Sequence, residues 1–249
     1  MNKNFTLLIA FLCLSIGTFS QHIFVKSNAS GSNNGSSWAD AYTSLKTAID
    51  NAVAGDSIFV AAGTYKPHVS SRSVYFDLKD SVAIFGGFAG SESINQSAID
   101  NRDFTTNETV LSGDLLDDDN SNVSTIDASR DDNSYHIFYR NNTDSLSSLT
   151  ILDGLTISDG NGGTTNKGGA IYTTGKIIKP TFRNLIIQNC SAEDGGGIYV
   201  NAVSNGRIAP KSISAKFIPF KSSSCNSLAP NFILLSAPLS IARSPITGP

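Results

Sequence analysis

Four aspartates in one short stretch form the densest group of ligand-type residues in the sequence. They are Asp114, Asp117, Asp118 and Asp119, and Asn120 follows directly. Carboxylate and amide oxygens are hard ligands, and Ca²⁺ binds about six to eight of them in proteins. The spacing does not match the EF-hand loop. The stretch therefore predicts a metal site on these four aspartates, with Ca²⁺ as the only cofactor considered, or a solvated acidic loop, which is the simpler interpretation.

A second polar group follows and mixes both signs of charge. It consists of Asp127, Arg130, Asp131, Asp132 and His136. Arg130 or His136 could act as the base in a proton-transfer site. A run of this kind is more often a loop with surface ion pairs, each worth ~0–1 kcal/mol. The sequence assigns no catalytic residue here.

Other catalytic signatures are missing from the sequence. It contains no G-x-S-x-G nucleophile elbow and no H-E-x-x-H zinc motif. There is no C-x-x-C pair, and Cys190 is interpreted as a small buried residue. Tyr172 and Tyr199 could stack on sugars, although their place in a repeat favours a structural row of stacked rings.

The N-terminus has the pattern of a secretion signal. Lys3 precedes an apolar run over residues 5–16, and Thr18 and Ser20 are the small residues that a signal peptidase requires. The pattern predicts a signal peptide over residues 1–20. The run is shorter than the ~20 apolar residues of a membrane-spanning helix, and no later segment is long enough, so no transmembrane span is expected in the mature chain.

The segment that follows predicts one helix and then a series of short strands. Trp38, Tyr42, Leu45 and Ile49 recur at helical spacing, and Ser36 or Ser37 could cap a helix over residues 39–53. Apolar runs separated by polar turns predict strands at 57–61, 74–78, 81–88, 109–111, 136–139, 149–152, 155–157, 170–172, 185–187 and 198–200.

An internal repeat connects the later strands. Residues 168–172 (GGAIY) recur as residues 195–199 (GGGIY), and residues 155–160 align with residues 185–190. A strand-rich period of this length is typical of a solenoid, in which each turn of chain stacks on the previous one. The predicted fold class is therefore all-β, a right-handed parallel β-helix solenoid with an N-terminal capping α-helix. The rival architecture is a β-sandwich, which would leave the repeat unexplained.

Several segments carry a family resemblance. Residues 35–42 (GSSWADAY) and 54–65 (AGDSIFVAAGTY) resemble the N-terminal capping region of secreted bacterial right-handed parallel β-helix proteins. Residues 86–88 (GGF), 111–114 (LSGD) and 152–157 (LDGLTI) are similar to later landmarks of the same group. These proteins resemble pectate-lyase-like solenoids and the repeat of chlamydial polymorphic outer-membrane proteins. The resemblance implies an exported protein that is surface-associated or adhesin-like.

The resemblance also leaves an enzymatic alternative, because some relatives are polysaccharide lyases. A lyase acting on an anionic polysaccharide needs a cation beside the uronate carboxylate and a basic residue. Arg183, Lys176 and Lys179 lie near the second repeat and are the candidates, together with Arg130. The W-I-D-H motif of pectate lyases is absent, because the single tryptophan is Trp38.

Charge and proline separate the chain into a body and a tail. Residues 21–204 carry a net charge of −9, from 12 basic and 21 acidic residues, whereas residues 205–249 carry five basic residues and no acidic one. Six of the eight prolines lie in this tail, where they would interrupt strand pairing. The predicted organisation is a signal peptide (1–20), a cap with the first coils (21–204) and an aberrant tail (205–249) that is disordered or frame-shifted.

These features together predict an extracellular binding or structural protein. The net charge of −3 argues against a nucleic-acid partner. Extracellular glycans or surface macromolecules are the expected partners, at the cell surface or outer membrane. The alternative is the polysaccharide lyase described above.

Overall fold

The computed structural model describes residues 20–142, 144–208, 212–218 and 234–235. Within these ranges every pair of neighbouring strands is parallel. Two short α-helices and a 3-10 turn at Ala128–Arg130 interrupt the strands. The elements are β1 (His22–Val25), α1 (Leu45–Asn51), β2 (Ser57–Ala61), β3 (Gly63–Tyr65), β4 (Phe76–Asp77), β5 (Ala83–Phe88), α2 (Gln96–Asp100), β6 (Thr109–Ser112), β7 (Phe138–Asn141), β8 (Ile151–Asp153), β9 (Thr156–Ser158), β10 (Ile171–Ile178), β11 (Thr181–Gln188), β12 (Ile198–Ile208), β13 (Ser212–Ile218) and β14 (Leu234–Leu235).

The strands form two sheets. Sheet A has the order β1-β2-β5-β8-β11-β9-β6-β3, with β13 also paired to β11, and sheet B has the order β14-β12-β10-β7-β4. Strand β11 pairs with β8 through its first residues, at Thr181↔Ile151, and with β9 through its last residues, at Ile187↔Ile157. Because one long strand joins two separate arms, sheet A curls back on itself as a half-barrel.

The predicted right-handed β-helix solenoid is wrong for this structure. The described residues form two parallel sheets with few, short helices, an arrangement that suggests an α/β fold instead. The prediction extended a repeat that occurs twice to the whole chain. Before residue 138 the strands are short and are separated by irregular segments of different length, so no constant coil runs through this half of the molecule.

The repeat itself does align the strands that contain it. Tyr172 on β10 lies opposite Tyr199 on β12, and Ile157 on β9 lies opposite Ile187 on β11. Two glycines allow the backbone to pass closely at this point. A Cβ on Gly160 would collide with the carbonyl oxygen of Gly169, so a side chain at this position would force the backbone to shift.

The predicted helix over residues 39–53 is shorter in the structure. Helix α1 begins after Ser44, whose hydroxyl accepts a hydrogen bond from the Thr47 amide at 3.3 Å. Ser44 is therefore the N-cap, not Ser36 or Ser37. Tyr42 forms a β-bridge with Val25 beside sheet A, and the ring of Trp38 packs edge-on against Phe24 with centroids 4.8 Å apart. Both residues therefore lie outside the helix, and their spacing does not mark a helical face.

The main core lies between the two sheets. Sheet B contributes Phe76, Phe138, Ile171 and Ile198, which are fully buried. Their partners on sheet A include Leu111, Leu152, Ile157, Phe182 and Ile187. A second cluster, with Phe59, Phe85 and Phe88, covers the opposite face of β2 and β5. Burial on both faces explains why the apolar runs of these two strands are continuous.

Two predicted segments lie largely outside the described residues. The signal peptide is one, apart from Ser20. The tail, residues 205–249, is the other. The structure describes three parts of it: the last residues of β12, strand β13, which pairs with β11, and strand β14, which pairs with β12. Among the described residues, no helix combines the length and the apolar character needed to cross a membrane.

Candidate functional site

Tyrosines form a continuous row on the outer surface of sheet B. Tyr139, Tyr172 and Tyr199 occupy equivalent positions on β7, β10 and β12, because these strands pair in register. The ring centroids of Tyr139 and Tyr172 are 5.0 Å apart, and those of Tyr172 and Tyr199 are 5.3 Å apart. Tyr75 adds a fourth ring, 4.6 Å from Tyr139 and tilted by 47°. These four residues are called the tyrosine face.

Strand alternation determines which way these side chains point. The residue before each tyrosine of the three strands is Phe138, Ile171 or Ile198, and all three are buried in the core. The tyrosines therefore point outward and are half-buried by one another. None of their four hydroxyls has a hydrogen-bond partner in the described part of the chain. The row thus offers four phenol hydroxyls to solvent or to a ligand.

The local environment favours the protonated form of the Tyr75 and Tyr172 hydroxyls. Burial raises the pKa of Tyr75, and the negative charge of Asp77 raises it further. Burial likewise raises the pKa of Tyr172. Each hydroxyl can therefore both donate and accept a hydrogen bond.

Amide and hydroxyl side chains lie beside the tyrosine face. Two residues along the strands, Asn141, Thr174 and Asn201 share one register line and the same outer surface. The Thr174 hydroxyl donates to the Asn141 side-chain oxygen at 3.2 Å. A second polar row therefore runs parallel to the tyrosines.

A cavity of about 250 Å³ opens at one end of the tyrosine face, where the Tyr75 and Tyr139 rings tilt apart. Its charged groups make contacts within the chain, although the buried Nε of Arg140 has no hydrogen-bond partner among the described residues. Asp77 pairs with Lys46 at 3.3 Å, and the Lys79 ammonium donates to the backbone oxygens of Asp50 and Ala52. The Arg140 guanidinium, which also lines the cavity, donates to the Leu78 carbonyl at 3.3 Å.

His136 supports the tyrosine face from one side. Its ring stacks on Tyr139 with centroids 4.8 Å apart, and its Nδ1 lies 3.0 Å from the Gly168 carbonyl oxygen, to which it donates. Burial lowers the pKa of His136, so the ring is neutral at physiological pH. This histidine packs and orients the row, and its Nδ1 is not free for proton transfer.

The structure brings together three of the four predicted metal ligands. One carboxylate oxygen each from Asp114, Asp118 and Asp119 lies within 4.8 Å of the others. Asp117 points elsewhere: its carboxylate pairs with the Lys66 ammonium at 2.7 Å, and its side chain is 80% exposed. Residues 114–119 are called the acidic loop. Asp117 therefore lies outside this group of three, and the metal site itself stays a prediction.

Asp119 is a largely buried carboxylate of the acidic loop, and it faces the Arg130 guanidinium. Its Oδ2 accepts hydrogen bonds from the Arg130 guanidinium at 2.9 Å and from the Asn133 amide at 2.8 Å. Burial nevertheless raises the pKa of Asp119 to about 6, and the charge of Asp114 contributes to the increase. The carboxylate is thus held in an environment that disfavours its charged form, mainly because it is removed from water.

Four of the five residues of the second polar group, all except Asp131, have side-chain partners within the described chain. Arg130 is 1% exposed and, besides Asp119, donates to the carbonyl of Asn189 at 2.7 Å. Asp127 caps the 3-10 turn by accepting from the Ser129 amide. The Asp132 carboxylate accepts from the amides of Leu115 and Leu116. These contacts position the acidic loop against the segment that follows it.

The basic residues considered for a lyase do not meet at one place. Arg183 donates through Nε to the buried Asp153 carboxylate at 2.7 Å, on the neighbouring strand of sheet A. Lys176 and Lys179 are exposed near the end of β10 and just beyond it. Arg130 is buried beside the acidic loop. No shared pocket containing these residues is present in the described chain.

Sequence reasoning identified Tyr172 and Tyr199 but missed Tyr75 and Tyr139. Their strands lack the glycine pair that marks the repeat, so no pattern aligned them with the later two. The register of β7 with β10 places Tyr139 in line, whereas Tyr75, which precedes β4, joins the row through the contact of its ring with Tyr139. Cys190, in contrast, is buried as expected, and burial raises the pKa of its thiol to about 12.

Comparison with known proteins adds no assignment. No protein-family model, no curated protein and no solved structure matches this chain.

Proposed function

We propose that this chain is an extracellular, non-catalytic binding protein of the adhesin type, and that the tyrosine face binds a neutral glycan. The proposal rests mainly on the row of four unpartnered phenol hydroxyls, spaced by rings 4.6 to 5.3 Å apart. A neutral glycan presents hydroxyls at regular intervals along its chain. Each phenol can both donate to and accept from such a hydroxyl.

The surroundings support a neutral ligand. The carboxylate and the ammonium at the cavity, Asp77 and Lys79, already have partners of the chain itself. The second polar row, with Asn141 and Thr174, adds amide and hydroxyl groups but no charge. The inner rings cover each other, so a ligand meets their hydroxyls and edges. The cavity beside Tyr75 and Tyr139 gives a ligand access to the end of the row.

Native affinity electrophoresis tests the proposal with defined probes. The full chain is run through gels containing hydroxyethyl cellulose, a soluble neutral glycan, or polygalacturonate, an anionic one. We expect retardation by the neutral polymer. The variant Tyr139→Phe/Tyr172→Phe/Tyr199→Phe keeps the stacked rings and removes three hydroxyls. At ~0.5–1.5 kcal/mol for each hydrogen bond, affinity should fall by about tenfold or more.

The matched control is Tyr42→Phe, which removes a tyrosine hydroxyl beside sheet A and should leave retardation unchanged. Equal retardation of the triple variant and the unmodified chain would contradict the proposal. Release of unsaturated sugars from polygalacturonate, detected by ultraviolet absorbance and lost in Arg183→Gln, would instead favour the lyase alternative.

A further inference from the structure

We infer that Asp114, Asp118 and Asp119 form a Ca²⁺ site within the acidic loop. This inference is independent of the tyrosine face. It rests on the arrangement of the three carboxylates and on a buried oxygen that has no partner.

The spacing of the three oxygens fits a single ion. They lie within 4.8 Å of one another. Ca²⁺ binds oxygen at about 2.3–2.6 Å, so two oxygens on one ion can be at most about 5 Å apart. The three carboxylates therefore reach one ion without a rearrangement of the backbone.

The second observation concerns Asp119. Its side chain is only 10% exposed, and Oδ2 is occupied by Arg130 and Asn133. The other oxygen, Oδ1, is fully buried and has no hydrogen-bond partner. A buried carboxylate oxygen without a partner is costly unless a cation or donor satisfies it. Oδ1 is the oxygen that Asp119 can offer to an ion.

The local charge also favours a cation. Asp132 lies against the same loop, where its carboxylate accepts from the amides of Leu115 and Leu116. Together with the three aspartates it makes four carboxylates, and Arg130 is bonded to only one of them, Asp119. A divalent cation would offset most of the remaining negative charge. The single Lys66 nearby pairs with Asp117 instead.

The ligand set favours Ca²⁺ over Mg²⁺. Three carboxylates on a loop, one of them on the exposed Asp118, leave the remaining positions of the ion to water. Ca²⁺ accepts such irregular sets of about six to eight oxygens, whereas Mg²⁺ demands near-octahedral geometry and commonly takes only one or two carboxylates. Extracellular modules bind Ca²⁺ with Kd on the order of 10⁻⁴–10⁻³ M, and we expect an affinity in that range.

Calorimetric titration of the full chain with CaCl2, in chelator-treated buffer without polysaccharide, tests the inference. We expect one site in the stated range and weaker binding of MgCl2. Asp118→Asn should weaken Ca²⁺ binding by about tenfold or more. This residue is exposed, so the substitution should leave the fold intact.

Asp117→Asn is the matched control, because it removes the same charge from the same loop outside the proposed site. It should change the Ca²⁺ affinity by less than about twofold, since its oxygens do not reach the ion. Absence of binding to the unmodified chain at about ten times the upper Kd of the expected range would overturn the inference. Equal weakening by the two variants would also overturn it, because it would indicate general charge screening.

Discussion

The carboxylate of Asp153 stabilises sheet A by compensating a buried arginine, and its removal has a calculable cost. Asp153 is 0% exposed and accepts hydrogen bonds of 2.7 Å each from Arg102, Arg183 and Asn184. Arg102 is itself only 4% exposed. The substitution Asp153→Asn keeps the shape of the side chain but leaves the Arg102 guanidinium without its counter-charge.

Removing one partner of a buried ion pair costs about 3–5 kcal/mol. Arg102 keeps hydrogen bonds to the carbonyls of Ile99 and Gly86, so we expect the lower end, about 3 kcal/mol. The control is Arg183→Gln. Arg183 is 45% exposed, and Asp153 retains two donors without it, so this change should cost about 1 kcal/mol or less.

Urea unfolding of both variants measures the difference. With a dependence on urea of about 2 kcal/mol per M, the midpoint should fall by about 1.5 M for Asp153→Asn and by about 0.5 M or less for Arg183→Gln. Similar shifts for the two variants would refute the reasoning, because the buried Arg102 would then not depend on Asp153. A large loss for Arg183→Gln alone would do so as well.

Three further predictions concern stability and reactivity. Gly160→Ala places a Cβ against the Gly169 carbonyl and should lower stability by about 3 kcal/mol, whereas Gly163→Ala, which meets open space at φ +67°, should cost about 1 kcal/mol; thermal melts compare them. His136 has a lowered pKa in the folded state, so its stabilising contribution is lost as pH falls below the unfolded value near 6.5; urea midpoints at pH 7.5 and 5.5 should differ less in His136→Gln than in the unmodified chain. The Cys190 thiol, with its pKa raised to about 12, should resist iodoacetamide in the native protein and react in urea, as peptide mapping would record; modification of the folded chain would show that the site is open.

Local patterns predicted most of the strands. Apolar runs placed β2, β5 and β6 to within two residues, because burial in a parallel sheet leaves a clear signal. Strands β1 and β3 were missed. Helix α2 was missed as well, because its five residues are too few to show a helical period.

The arrangement of the strands was less predictable. The glycine repeat correctly aligned Tyr172 with Tyr199, but it could not show that β11 joins two arms of sheet A. That junction depends on the length of β11 and on contacts between residues about 30 positions apart, which a single sequence does not encode as a pattern. The fold class was mispredicted for this reason.

For the candidate sites as well, the sequence indicated some of the residues but not how they are arranged. The acidic loop was visible as composition, yet the separation of Asp117 from its neighbours arises from its positive φ of 58° and its pairing with Lys66. The tyrosine face needed the register of β7, β10 and β12, and the ring contact between Tyr75 and Tyr139, before its members could be recognised. Arg130 and Arg183 were considered as basic residues for catalysis, and only their buried carboxylate partners reveal a structural role.

Chemical footprinting tests the glycan-binding face most directly. The full chain is nitrated with tetranitromethane in the presence and absence of hydroxyethyl cellulose, and the modified tyrosines are mapped by mass spectrometry. We expect the polymer to protect Tyr75, Tyr139, Tyr172 and Tyr199 and to leave Tyr42 unchanged. Protection that is equal for all tyrosines, or absent from these four, would contradict the assignment of the tyrosine face as the binding site.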